Sequence, residues 1–102
     1  MISIRVKQTK NDCLVQIHGH ARYAPPGYDI VCSAISCLFA TLMNSIDLMS
    51  DAICRYEDIG EDDKVLYIGN LDAPGDYALE FFRIGSKGVQ EAYAGYVDYK
   101  DV

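Results

Sequence analysis

Hydrophobic side chains alternate at the start of the chain, where Ser3, Arg5 and Lys7 separate Ile2, Ile4 and Val6. That is the period-2 pattern of a strand with one buried face. The polar run Thr9, Lys10, Asn11, Asp12 predicts a turn, after which Cys13, Val15 and Ile17 resume the alternation. The two runs predict a hairpin, and Gly19 ends the pattern. Residues 21 to 29 read as a loop: Pro25 and Pro26 cannot donate to a sheet, and Gly27 permits a turn with positive φ. A helix follows, because Val31, Ile35, Leu38, Leu42, Ile46, Met49 and Ile53 recur at spacings of 4, 3, 4, 4, 3 and 4. Asp29 stands where an N-cap carboxylate would accept a first-turn amide bond.

Residues 53 to 58 and 64 to 68 predict a second hairpin around the acidic turn Gly60, Glu61, Asp62, Asp63. Pro74 suits the first turn of another helix. Along it Asp76, Glu80, Arg83, Lys87 and Glu91 form a polar face, and Tyr77, Phe81, Ile84 and Gly88 a more apolar one. The predicted architecture is α+β, in two layers: an antiparallel four-stranded sheet with two helices, in the order strand-strand-helix-strand-strand-helix. At 102 residues the chain makes one domain, residues 1–102.

Composition adds exclusions. The formal net charge of −6 repels a nucleic-acid backbone on average, and Arg5, Lys7 and Lys10 are too few for a binding stripe. No nucleic-acid partner is expected. The N-terminus alternates and lacks the apolar run of a signal peptide, and the apolar stretches read as too short to cross a bilayer. No membrane association is expected. Cysteines at 13, 32, 37 and 54 contain no C-x-x-C pair, so a zinc knuckle and a thioredoxin-like motif are unsupported. Free thiols in a reducing cytoplasm follow. There a cysteine serves as packing, metal ligand or nucleophile, and its neighbours decide which.

The segment from Gly19 to Cys32 carries the chemistry. Cys32 falls in the first turn of the predicted helix, where free amides and the helix dipole favour an anion, and the thiolate is the nucleophilic form. His20, at the end of a strand and before the loop returning to that helix, can supply a base. Spacing alone does not separate this reading from a packed cysteine and an unrelated histidine. His18, two positions before His20, opens a further reading in which both histidines and Cys32 bind a metal. Without a fourth ligand or zinc spacing, a surface role for His18 is favoured, and no metal or cofactor is expected. Cys13 and Cys54 fit apolar strand positions and read as packing, and Cys37 reads as inert. Tyr93, Tyr96 and Tyr99 suit a dimer interface or the edge of the core.

The run G-H-A-x-Y-A-x-x-G-x-D-I-V-C, followed by Ser33, Ala34, Ile35 and Ser36, closely resembles the signature of the Prp family of bacterial cysteine proteases. The resemblance implies a peptidase that removes a short N-terminal extension from a large-subunit ribosomal protein, cuts after an aromatic residue and forms a homodimer. It places the family's catalytic histidine on His20 and its nucleophile on Cys32. Its acidic residue falls on Asp29, a helix cap and loop anchor that can also orient His20. Gly19 and Gly27 match glycines that flank a mobile loop, and Ser36 matches one turn beyond Cys32. Ser33, Pro25–Pro26 and Ala94–Gly95 depart from the family pattern, which suits a divergent paralogue acting on a related peptide. Two alternatives remain at this point: a catalytically silent module that binds a peptide or ribosomal component in the same groove, and a metal-binding or redox-sensing domain using His18, His20 and Cys32.

Overall fold

The computed structural model describes residues 1–60 and 62–102. Its elements are β1 (Ile2–Gln8), β2 (Cys13–His18), α1 (Ile30–Met49), β3 (Ile53–Asp58), β4 (Asp63–Gly69), α2 (Ala73–Ala92) and β5 (Val97–Asp101). One sheet runs in the order β3-β4-β2-β1-β5. The strands turn Ile2, Ile4, Val6, Cys13, Val15, Ile17, Leu66 and Ile68 into a single core, which the helices cover with Val31, Ile35, Phe39, Leu42, Leu79 and Phe82. The Phe39 and Phe82 rings meet edge to face at 6.3 Å, joining α1 to α2. In the predicted acidic turn between β3 and β4, Glu61 lies outside the described residues.

The expected four-stranded antiparallel sheet is corrected to a mixed sheet of five strands. β5 pairs with β1 in parallel, with Ile2 opposite Val97 and Ile4 opposite Tyr99. Val97 and Tyr99 face inward from this last strand and are buried, with Asp98 between them half-buried. Gly95, at φ +89°, turns the chain out of the α2 end. Arg5 joins the pair from β1, donating to the Asp98 carbonyl at 2.7 Å and to its carboxylate at 2.8 Å.

Four further expectations change. The α1 stripe shifts to Val31, Ile35, Phe39, Leu42 and Ile46, because the helix stops at Met49 and leaves Met49 and Ile53 exposed. The stop is chemical: Asp72 accepts from the Ser50 hydroxyl at 2.6 Å and the Asp51 amide at 2.9 Å while capping α2 through the Gly75 amide at 2.9 Å. Helix α2 buries Gly75, Ala78, Leu79, Phe82 and Ser86 instead of the Tyr77, Phe81 and Ile84 row, which points outward. Cys54 sits exposed on the edge strand β3, whereas Cys13 is buried as expected. At 20 residues α1 is also long and apolar enough to cross a membrane, contrary to the reading that no stretch is. Its buried stripe is packed into the core of this fold.

Candidate functional site

Asp29 organises the site. It sits in extended conformation ahead of α1, and its Oδ1 accepts the amides of Val31 and Cys32, each at 3.0 Å. Its Oδ2 accepts the amides of Tyr23 at 3.0 Å and Ala24 at 3.4 Å. Burial pushes the Asp29 carboxyl up, but the amide bonds from Cys32, Tyr23 and Ala24 outweigh it and hold the group below the usual carboxylate range. The Ser33 amide donates to the Asp29 carbonyl at 3.1 Å. The Val31, Cys32 and Ser33 amides at the start of α1 are thus already engaged by Asp29.

The loop between β2 and α1 is held at both ends and in its middle. The Tyr28 amide donates to the Pro25 carbonyl at 3.0 Å, closing a turn whose third residue, Gly27, has φ +88°. Tyr23 meets Tyr93 and Tyr96 edge to face at 5.4 and 5.1 Å, docking the loop on the junction of α2 and β5. Two of the C-terminal tyrosines therefore pack within the chain, and Tyr99 is buried. Gly19, also at φ +88°, leaves no room for a side chain, since a Cβ would stand 2.6 Å from the Met1 carbonyl oxygen.

Two cavities meet over the start of α1. One, of about 350 Å³, has Ile17, Ile35, Phe39, Met43 and Tyr56 in its wall. The other, of about 440 Å³, is bounded by the loop through Arg22, Ala24, Pro26 and Gly27. His20, Cys32 and Ser36 belong to both. Cys32 is half-buried and its Sγ accepts the Ala21 amide at 3.4 Å. Among the described residues no hydrogen bond joins His20 to Cys32, or Ser36 to either; they are brought together as shared walls. His20 is exposed, and its Nε2 is in ion-pairing contact with Oδ1 of Asp62, in the turn before β4. That carboxylate, not Asp29, is the one on His20. His18 pairs with Asp63 and lines a third cavity with Ser3, Arg5 and Gln16, apart from Cys32.

Of the four free thiols, Cys32 alone is in the two central cavities. Burial pushes Cys13 up to about 11, and partial desolvation followed by the Asp47 charge raises Cys54 even though its residue is exposed.

The model of the cysteine protease Prp family matches residues 1–98 of this chain. The chain belongs to the cysteine protease Prp family. It is therefore a cysteine protease, and the Prp fold is also found among solved structures. The ribosomal processing protease Prp from Staphylococcus aureus, with a covalently linked product peptide, superposes at a TM-score of 0.84, with 19% identity over 100% of both chains. The same protease with a substrate peptide gives 0.74, again with 19% identity and 100% of both chains. SMU.848 from Streptococcus mutans gives 0.81, with 24% identity over 100% of this chain and 94% of that one. A search of curated proteins finds no match.

Sequence reasoning missed Asp62 and the Tyr23 cluster. No local signal pointed to either. Asp62 reaches His20 only because β2 pairs with β4, placing His18 opposite Asp63.

Proposed function

We propose that this chain is an endopeptidase that trims a short N-terminal extension from a large-subunit ribosomal protein, or cuts a related peptide, through Cys32 and His20. The observation that carries this reading is that Cys32 and His20 share the walls of two adjoining cavities, one apolar and one bounded by the loop. An extended peptide crossing Cys32 would place residues on both sides of the scissile bond in these cavities. Cys32 Sγ gives up its proton to His20 and attacks the carbonyl carbon, and His20 returns the proton to the departing amine. Water, deprotonated by His20, then releases the acyl group from sulfur. With the Val31 and Cys32 amides engaged by Asp29, the Ala21 amide, which donates to Sγ in the resting site, supplies the oxyanion donor once sulfur bonds to the carbonyl carbon. Membership of the Prp family and the peptide complexes of the Staphylococcus aureus protease support a peptide substrate.

We propose that it acts as a homodimer in a reducing cytoplasm. The outward row of Tyr77, Phe81 and Ile84 offers an apolar face to a second copy, and free thiols suit that compartment. The test of function is to incubate the protein with its host's ribosomal protein precursors and map new termini by mass spectrometry. A single cut that disappears with Cys32→Ala supports the reading. Tight binding of a precursor without any cut supports the silent binding module instead.

A further inference from the structure

Two carboxylates stand near the proposed centre, and they are engaged differently. Asp29 accepts four backbone amides of the loop and the first turn of α1, and the Cys32 thiol also helps hold its carboxyl down. Asp62 reaches a side chain: its Oδ1 contacts Nε2 of His20, and it lines the same apolar cavity as His20 and Cys32. Its backbone is anchored as well. The Gly19 amide donates to the Asp62 carbonyl at 2.9 Å, and the Ile59 amide donates to the Asp63 carbonyl at 2.8 Å. Backbone and side chain of one residue thus grip two successive residues, Gly19 and His20. The neighbouring Asp63 turns to the other histidine, His18, which lines a different cavity.

We propose that Asp62 is a positioning residue, holding the His20 ring by Nε2 so that Nδ1 exchanges the proton with Cys32 and the leaving amine. The proposal rests on the roles given to His20 and Cys32 above. A carboxylate offers acceptors only, so beside a neutral imidazole it selects the tautomer that carries its proton on Nε2. The lone pair on Nδ1 is then the base. An acceptor on one ring nitrogen also stabilises the imidazolium formed when the other takes up a proton. The contact crosses from the end of β2 to the turn before β4, so the sheet itself sets the ring's place.

The test compares Asp62→Asn, Asp62→Glu, Asp63→Asn and His20→Ala in the full chain, with circular dichroism confirming each fold. Nitrogen-15 labelling of histidine reports the His20 tautomer without any substrate. Kinetics use a synthetic peptide covering the N-terminal extension of the host ribosomal protein, and iodoacetamide reads the alkylation rate of Cys32. The wild type should carry its proton on Nε2, and Asp62→Asn should lose that bias. The same change should lower kcat roughly tenfold, a fraction of what a general base supplies, and leave KM within about twofold, the mark of a lost transition-state contribution. Asp62→Glu should recover part of kcat, and Asp63→Asn should leave kcat, KM and the His20 signals as in the wild type. An Nδ1–H tautomer in the wild type overturns the proposal. So does an unchanged kcat in Asp62→Asn when His20→Ala abolishes cleavage, and that result leaves the roles of His20 and Cys32 standing. Undiminished cleavage and alkylation in His20→Ala overturn those roles and the proposal together.

Discussion

Oδ1 of Asp29 accepts the backbone amide of Cys32 at 3.0 Å, while its Oδ2 accepts that of Tyr23 at the same distance. One carboxylate therefore ties the helix turn of the proposed nucleophile to the loop that borders the second of the two cavities. Loss of this residue should loosen both together. Asp29→Ala is expected to destabilise the fold by at least about 1 kcal/mol, the usual worth of an N-cap. Asp29→Asn should cost less, since its amide oxygen can still cap α1 while its NH2 group cannot accept from Tyr23. The effect depends on pH. A carboxyl held below its ordinary value of 3.8 contributes its full stabilisation above that value and loses it as pH falls further. Denaturant unfolding at neutral pH and in strong acid should therefore show a gap between wild type and Asp29→Asn that narrows in acid. A gap independent of pH would mean that the charge of Asp29 contributes nothing.

Thiol reactivity should follow position in the fold. Cys32 is half-buried between two cavities and receives the Ala21 amide, so limiting iodoacetamide at neutral pH is expected to label it first. Cys13, buried and pushed up to about 11, should be labelled last. Cys37, exposed on the outer side of α1, is the informative competitor. Peptide mapping that finds Cys37 modified ahead of Cys32 would count against the assigned nucleophile.

The two histidines should separate cleanly. His20→Ala is expected to lower peptide cleavage by roughly 10²- to 10⁴-fold, the range for loss of a general acid–base group. His18→Ala should leave cleavage near the wild-type rate, because His18 pairs with Asp63 and lines another cavity. Equal losses in both variants, with zinc released on unfolding, would instead favour a shared metal site.

The two loop glycines have the same φ of +88° but different surroundings. A Cβ at Gly27 meets nothing within 4 Å, so Gly27→Val pays only for the backbone conformation, about 1–2 kcal/mol. It should reduce peptide turnover while Cys32 keeps much of its reactivity toward small alkylating agents. A Cβ at Gly19 would add a collision with the Met1 carbonyl oxygen. Gly19→Val should therefore melt at a lower temperature than Gly27→Val. Thermal unfolding of the pair measures this, and equal melting temperatures would show that the Met1 end yields freely.

What local chemistry controls was legible in the residue pattern. Alternation set β1 and β2, an acidic turn between two short runs marked β3 and β4, a carboxylate before an apolar stripe marked the start of α1, and Pro74 marked the start of α2. The run from Gly19 to Cys32 was legible because its motif is contiguous, so His20, Asp29 and Cys32 could be named without knowing any long-range contact. The rest came from long-range packing. Val97 and Tyr99 become a strand because β1 offers a free edge beside them, and an alternation of two inward residues is too short to declare itself. Tyr77, Phe81 and Ile84 are as apolar as the residues α2 buries, so which row faces inward depends on where α1 and the sheet lie. Asp62 is one carboxylate in an acidic turn until the pairing of β2 with β4 carries that turn to His20. Each of these outcomes is a contact between segments distant along the chain. Residue pattern encodes the preferences of each segment, but packing selects among partners that those preferences leave equivalent.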